Sequence, residues 1–176
     1  FAFSRKGGGC LAKVNVAEGK WEVVARGGPK GHKEYDFLVW DSKRDRMLHI
    51  DNTGGAVWAF DFKAKEWSEE KPDGPAPSRV LGDATYIPQM DAVLMVWGKG
   101  EEKLYFYDCG KRRWFTAPYA GDKVWRGNGT GKDFSPVYDP DLGLVVRFHP
   151  DGHRWLGVSV MRLVPDELKL TPLAGK

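Results

Sequence analysis

His149 and His153 flank the tripeptide Pro150-Asp151-Gly152. Two imidazoles across a tight turn, with a carboxylate between them, are the beginnings of a metal site. A closed site takes three or four well-placed ligands. A third would have to come from elsewhere in the chain, with His32 a candidate. Without it these residues read as a solvated type I turn with polar flanks, and no metal is assigned. The stretch "RGNGTGKD" (126–133) is rich in glycine and carries Lys132. A phosphate loop needs GxxxxGK[ST] between a strand and a helix whose N-terminus meets the anion. Here Asp133 follows the Gly-Lys pair and no helical pattern follows. The stretch therefore reads as a loop, and no cofactor is expected.

Carboxylates and aromatics recur at fixed intervals. Asn15, Asp61 and Asp108 each stand six residues before Trp21, Trp67 and Trp114. A recurring carboxylate looks catalytic, but each lies where a chain reversal begins, and a short polar side chain there caps backbone N–H groups. The three tryptophans read as core between sheets. Tyr105, Tyr107 and Cys109 follow one another at every second residue, so they share one face of a strand. No Ser-His-Asp set and no catalytic carboxylate pair can be assigned. Cys10 and Cys109 form no CxxC and no zinc spacing, and two cysteines are too few for a disulfide scaffold.

The elements that must hold these residues are repeated. "CLAKVNVAEGKW", "AVWAFDFKAKEW" and "KLYFYDCGKRRW" end at Trp21, Trp67 and Trp114, spaced 46 and 47 residues apart. "VSVMRLVPDEL" fits the same frame with Leu168 in place of the tryptophan. Upstream, "LVWDSKRDRMLHI" (38–50), "ATYIPQMDAVLMV" (84–96) and "PVYDPDLGLVVRF" (136–148) align without gaps, each a strand, a tight polar turn and a strand. Alternating apolar residues bounded by Gly, Asp, Asn and Pro are strand signals. In "VWAFDF", Trp58, Phe60 and Phe62 fall on one face, and Val57, Ala59 and Asp61 on the other. The unit thus holds four short strands, a to d. "VPDELKL" offers one helical turn at most.

Four antiparallel strands repeating every 45–50 residues are the signature of a β-propeller blade. The unit also resembles the Kelch repeat of galactose-oxidase-like central domains, with its glycine doublet after the second strand and its aromatic-Asp-turn-Trp ending. "NTGGAVWAFDFKAKEW" (52–67) carries both, with the doublet at Gly54 and Gly55, and "KGGGCLAKVNVAEGKW" (6–21) is similar. The third unit splits the glycines, and the fourth lacks the doublet, the Asp and the Trp. The resemblance implies an Arg before strand a that lines the central funnel or bonds loop carbonyls, and Arg79 stands there. Lys30 and Arg126 occupy the equivalent connections, so three cations could face an anionic ligand or an acidic partner. Trp125, an aromatic outside the repeat in a long polar connection, is a candidate contact. The copper site of galactose oxidase does not map onto this chain. The turns "DSKRDR" and "DPDLG" resemble those of bacterial Kelch-like proteins, many of them exported, which implies an extracytoplasmic placement.

The expected fold is all-β, a propeller fragment of about 3.5 four-stranded antiparallel blades, with a partial blade at about 1–30 and blades at about 31–76, 77–123 and 124–176. The 176 residues suffice for one domain with a core. With 41% hydrophobic and 13% aromatic residues the chain is not disordered. A net charge of +3 gives no reason to expect nucleic acid. No apolar run reaches the roughly 18–20 residues of a membrane helix. Closed propellers have about four to eight blades. An open half-ring would leave an apolar sheet face in water at each end. The chain, which begins inside an apolar run at Phe1, therefore reads as a segment completed by another chain, by a second copy, or by further sequence. Binding or scaffolding is the expected role, through the loop-bearing face or the ring-completing edges. The alternative is a segment of a propeller enzyme whose catalytic residues lie partly elsewhere.

Overall fold

The computed structural model describes residues 2–4, 9–29, 37–51, 55–77, 82–97, 103–119, 136–151 and 155–174, with the backbone alone at 2–4, 82–83, 96–97, 149–151 and 155–156. Four antiparallel sheets follow one another along the chain. The first holds β1 (Ala2–Ser4), β2 (Cys10–Asn15) and β3 (Lys20–Arg26). The second holds β4 (Phe37–Asp41), β5 (Arg46–Ile50), β6 (Val57–Asp61) and β7 (Glu66–Glu69). The third holds β8 (Gly82–Ile87), β9 (Ala92–Trp97), β10 (Lys103–Asp108) and β11 (Arg113–Pro118). The fourth holds β12 (Val137–Asp139), β13 (Leu144–Asp151) and β14 (Trp155–Arg162). Each sheet is a meander in sequence order. Strand a of the second sheet, β4, touches β8, and β8 touches β12, so the first strands of the second, third and fourth sheets lie side by side at one edge of the stack.

Alternation decides which face meets which neighbour. Leu11 of the first sheet packs with Met47 and Phe60 of the second. On the opposite face of the second sheet, Leu48, Ile50 and Val57 meet Val93, Tyr107 and Trp114 of the third. The far face of the third sheet carries Leu94, Leu104 and Phe106 against Val145 of the fourth. Each inner sheet is thus apolar on both faces, and this explains why its strands read as nearly continuous hydrophobic runs.

The chain end departs from the repeat. Residues 165–176 were placed with the fourth unit by spacing, but β15 (Thr171–Pro172) pairs with β11 as a fifth strand of the third sheet. Pro165–Glu167 forms a single 3-10 turn. Leu168 and Leu170 then pack at the interface of the third and fourth sheets. Leu173 packs on the opposite cluster, and its amide donates to the Trp114 carbonyl at 3.0 Å. Burial of three leucines against existing cores draws the segment across. Among the described residues, β14 is left with β13 as its sole neighbour.

The hairpin turns repeat as backbone geometry. The left-handed conformation recurs at Gly19, Lys65 and Arg112, each four residues after the Asn/Asp column, and at Asp45, Asp91 and Gly143 before strand b. A side chain in that region costs about 1–2 kcal/mol, which glycine avoids at a smaller entropic cost. Lys65→Gly and Arg112→Gly are each expected to stabilise the fold by about 0.5–1 kcal/mol, read as a higher urea midpoint at unchanged slope.

Gly55, the described half of the doublet, has φ +64°, and a Cβ there would collide with the Cβ of Ala76. The b–c hairpin passes this close to the d–a connection only because the side chain is absent. Gly55→Ala is expected to destabilise the protein by about 2 kcal/mol or more in urea unfolding, since it adds left-handed strain to overpacking.

Candidate functional site

The most developed polar site among the described residues lies between the second and third sheets. Strand β4 ends on Asp41, which is fully buried. The tight turn that follows brings Arg44 back over it, and β5 opens with Arg46. Asp41 accepts from Arg46 Nε at 2.8 Å and from Arg44 Nη1 at 3.1 Å. Arg44 also crosses to the third sheet, where both Nη atoms donate to the two oxygens of Asp91 at 2.7 Å each. Tyr86 donates to Asp91 Oδ1 at 2.9 Å and Lys43 to Oδ2 at 3.3 Å. On the other side, Arg46 Nη1 donates to Glu70 Oε1 at 2.7 Å, and Tyr107 to Glu70 Oε2 at 3.1 Å.

These contacts and the burial around them shift Asp91, the two arginines, the two tyrosines and the neighbouring Cys109. The Arg44 hydrogen bonds hold the Asp91 carboxyl well below the usual range, against the opposing effect of burial. The Asp91 bond likewise raises Arg44. Burial lowers Arg46, but its bonds to Asp41 and Glu70 outweigh that and raise it. Burial first, then the neighbouring carboxylates, raises Tyr86 and Tyr107. Burial, then the field of Asp41, pushes the Cys109 thiol up to about 12. A general base or nucleophile near neutral pH needs the opposite: a raised carboxyl or a lowered thiol. The cluster is a charge-paired clamp between two sheets.

Its linkage to pH follows from those directions. Asp91 is depressed in the fold, so its contribution is present above the ordinary value of about 3.8 and is lost as pH falls below it. Cys109 is raised, so its contribution is complete below about 9 and is lost as pH rises from there to about 12. The expected profile is a plateau between those limits. In Cys109→Ala the first alkaline decline should disappear, leaving the later one due to the tyrosines. Urea midpoints measured across pH check this.

The repeat columns behave differently at the two ends of the stack. Leu11, Val57 and Leu104 occupy one column of strand c on the face toward the following sheet, and all are buried, Leu104 at 2% exposure. Val158 holds the same place in the fourth sheet, opposite Phe148 as Leu104 is opposite Val96, and is 54% exposed. Phe106 is fully buried, yet its counterpart Val160 is 54% exposed. The tryptophan column faces the preceding sheet. Trp114 is fully buried and Trp67 half-buried, whereas Trp21 is 61% exposed and does not serve as core. Val14, in the column of the buried Phe60 and Tyr107, is exposed as well. Each residue is covered where a neighbouring sheet exists and exposed where it does not.

The remaining residues singled out in the sequence are distributed as follows. Asp61 Oδ1 accepts from the amides of Lys63 at 2.7 Å and Ala64 at 3.0 Å. Asp108 Oδ1 accepts from the Lys111 amide at 2.7 Å, and Asn15 Oδ1 from the Glu18 amide at 3.3 Å. Tyr105, Tyr107 and Cys109 lie together in the core between the second and third sheets. Lys30, His32, Gly54, Arg79, Trp125, Arg126, His153 and the loop 126–133 lie outside the described residues. His149 lies on β13, described by its backbone alone. Among the described residues no three His, Cys, Asp or Glu side chains gather as a metal site, and no helix is long and apolar enough to cross a membrane. Sequence reasoning missed the clamp, whose signal is an Asp closing the apolar strand "LVWD" with two arginines just after it.

The sequence matches no family model, and no curated protein matches it. Among solved structures, the chain is similar to TolB from Acinetobacter baumannii, a β-propeller protein, with a TM-score of 0.53 and 14% identity. The likeness covers 98% of this chain and 39% of that one. Identity this low bears on the fold alone. Four meander sheets in sequence, stacked face to face, with the first strands of the second, third and fourth side by side, and this likeness give the same answer: the chain folds as part of a β-propeller.

Proposed function

We propose that this chain is a non-catalytic propeller segment of Kelch-like repeats that works by binding. Its two end faces pack on further blades of a larger ring, and its b–c and d–a connections form the face that meets a ligand or partner. The observation that carries this reading is the burial of one column in sequence order: Leu11, Val57 and Leu104 covered, Val158 open. An exposed apolar sheet face of this kind marks an interaction surface. The aromatic-Asp-turn-Trp ending and the Gly55 contact with the d–a connection support the Kelch-like assignment. The clamp supports binding over catalysis, because its charges are paired within it, Asp91 is held low and the Cys109 thiol is raised, the opposite of a base or nucleophile poised near neutral pH. The native mass of the particle that contains this chain tests the reading. A particle larger than 19.8 kDa is expected. A particle of 19.8 kDa that fails to bind a polarity-sensitive dye would overturn it, since its ends would then not be open.

A further inference from the structure

We propose that the outer edge of β11 is a docking site for an extended partner segment, held in this structure by residues 168–173 of the chain itself as a detachable strap. The site lies on the outer rim of the third sheet, away from both the end faces and the loop-bearing face.

The outer strands of the first three sheets differ in how their edges are guarded. β3 carries Lys20, Glu22 and Arg26, and its pairing with β2 shifts register between Leu11 and Ala12. β7 reads Glu66-Trp67-Ser68-Glu69. Charges and bulges of this kind keep further strands off an exposed edge. β11 is uncharged from Trp114 to Pro118, and its Trp, Phe and Thr favour extended pairing. This unguarded edge is the one that takes a fifth strand, β15.

The strap shows what the edge accepts. Leu168 and Leu170 enter the cluster between the third and fourth sheets, and Leu173 enters the one between the second and third. Residues two apart in an extended chain share a face, and residues three apart take opposite faces. A segment of the form Leu-x-Leu-x-x-Leu therefore straddles β11, while its backbone pairs with Phe115 and Thr116. Main-chain pairing supplies affinity in this mode of recognition, and the side-chain pockets supply specificity. The partner that fits is an extended segment with that leucine spacing and no charge at the pairing residues.

The strap is lightly held. β15 makes two residue pairs, both of its residues are exposed, and the three leucines are half-buried. Its own repeat frame assigns Leu168 to a strand beside β14, so nothing in the unit ties the segment to β11. A segment with so few buried contacts opens locally while the cores beneath it stay closed.

Hydrogen exchange on the full 176-residue chain, isotope-labelled, tests this with an unlabelled synthetic peptide of residues 165–176 as the probe. The Leu173 amide donates to the Trp114 carbonyl at 3.0 Å. It should exchange at least about 100-fold faster than the amides that join β10 to β11. Peptide at about 1 mM should speed that exchange about 10-fold further, because it takes the edge each time the strap leaves it. Leu173→Asp and Leu168→Asp, which free the strap from opposite faces, should each bind the peptide at least about 10-fold more tightly than the unaltered chain does. A peptide with all three leucines replaced by aspartate should not bind. The exchange measurement needs no variant, so it decides the matter whether or not the two variants fold. Exchange of Leu173 as slow as that of the β10–β11 amides overturns the proposal, since the segment is then a fixed part of the fold. Exchange unchanged by the peptide also overturns it, as does equal binding of the aspartate peptide or protection gained along β14 instead of β11.

Discussion

Arg46→Ala is expected to lower the unfolding free energy by about 3–5 kcal/mol, close to the whole stability of many small domains. The reason is what the substitution leaves behind. Asp41 is fully buried and Glu70 nearly so, and Arg46 joins them through Nε and Nη1 at 2.8 and 2.7 Å. Without the guanidinium, Asp41 loses its shortest charged contact and keeps Arg44, which is shared with Asp91, while Glu70 keeps the Tyr107 hydroxyl. Two carboxylates would face a low-dielectric interior with incomplete pairing, which costs far more than the net worth of the original bonds. The exposed pair Lys13–Glu22, at a similar 3.1 Å, provides the contrast. Lys13→Ala should cost about 0.5 kcal/mol or less, because solvent screens both charges. Urea unfolding of the two variants side by side, at equal slope, measures the difference that burial makes. A cost of under about 1 kcal/mol for Arg46→Ala would mean that water reaches the cluster and that the sheets are not clamped there.

The fold was legible because its information is local and periodic. The spacing of Trp21, Trp67 and Trp114 set the unit, the Asn/Asp column marked the turns, and alternation in "VWAFDF" assigned faces that the packing of Val57, Ala59 and Phe60 now shows. The clamp was not legible because its partners are distant. Arg44 and Asp91 are 47 residues apart, and nothing in either turn says that two sheets will bring them together. The strand at Thr171–Pro172 was misplaced for a related reason. Spacing locates a strand within its own unit, but burial of Leu168, Leu170 and Leu173 is decided by the neighbouring sheet. Trp21 shows the limit of column reasoning. Equal sequence roles give equal burial only where a neighbour is present to bury them. The candidate contacts Lys30, His32, Arg79, Trp125 and Arg126 stand in connections whose placement no periodicity sets, because their lengths and compositions differ from unit to unit.

Trp114→Ala and Trp21→Ala separate what folds the chain from what assembles it. The Trp114 ring is fully buried against Tyr107, with centroids 5.1 Å apart, and its indole N–H has no hydrogen-bond partner among the described residues. Its worth is packing, and its removal leaves a cavity in the largest core. The expected cost is about 3–5 kcal/mol. Trp21 has the same column, strand position and turn, yet is mostly exposed. In the chain alone Trp21→Ala should cost less than about 1 kcal/mol, as surface truncations do. Urea unfolding of both variants beside the unaltered chain measures the difference. A Trp21→Ala cost as large as that of Trp114→Ala would mean that the first sheet is already covered within the chain, and the end-face argument would fail at its first residue.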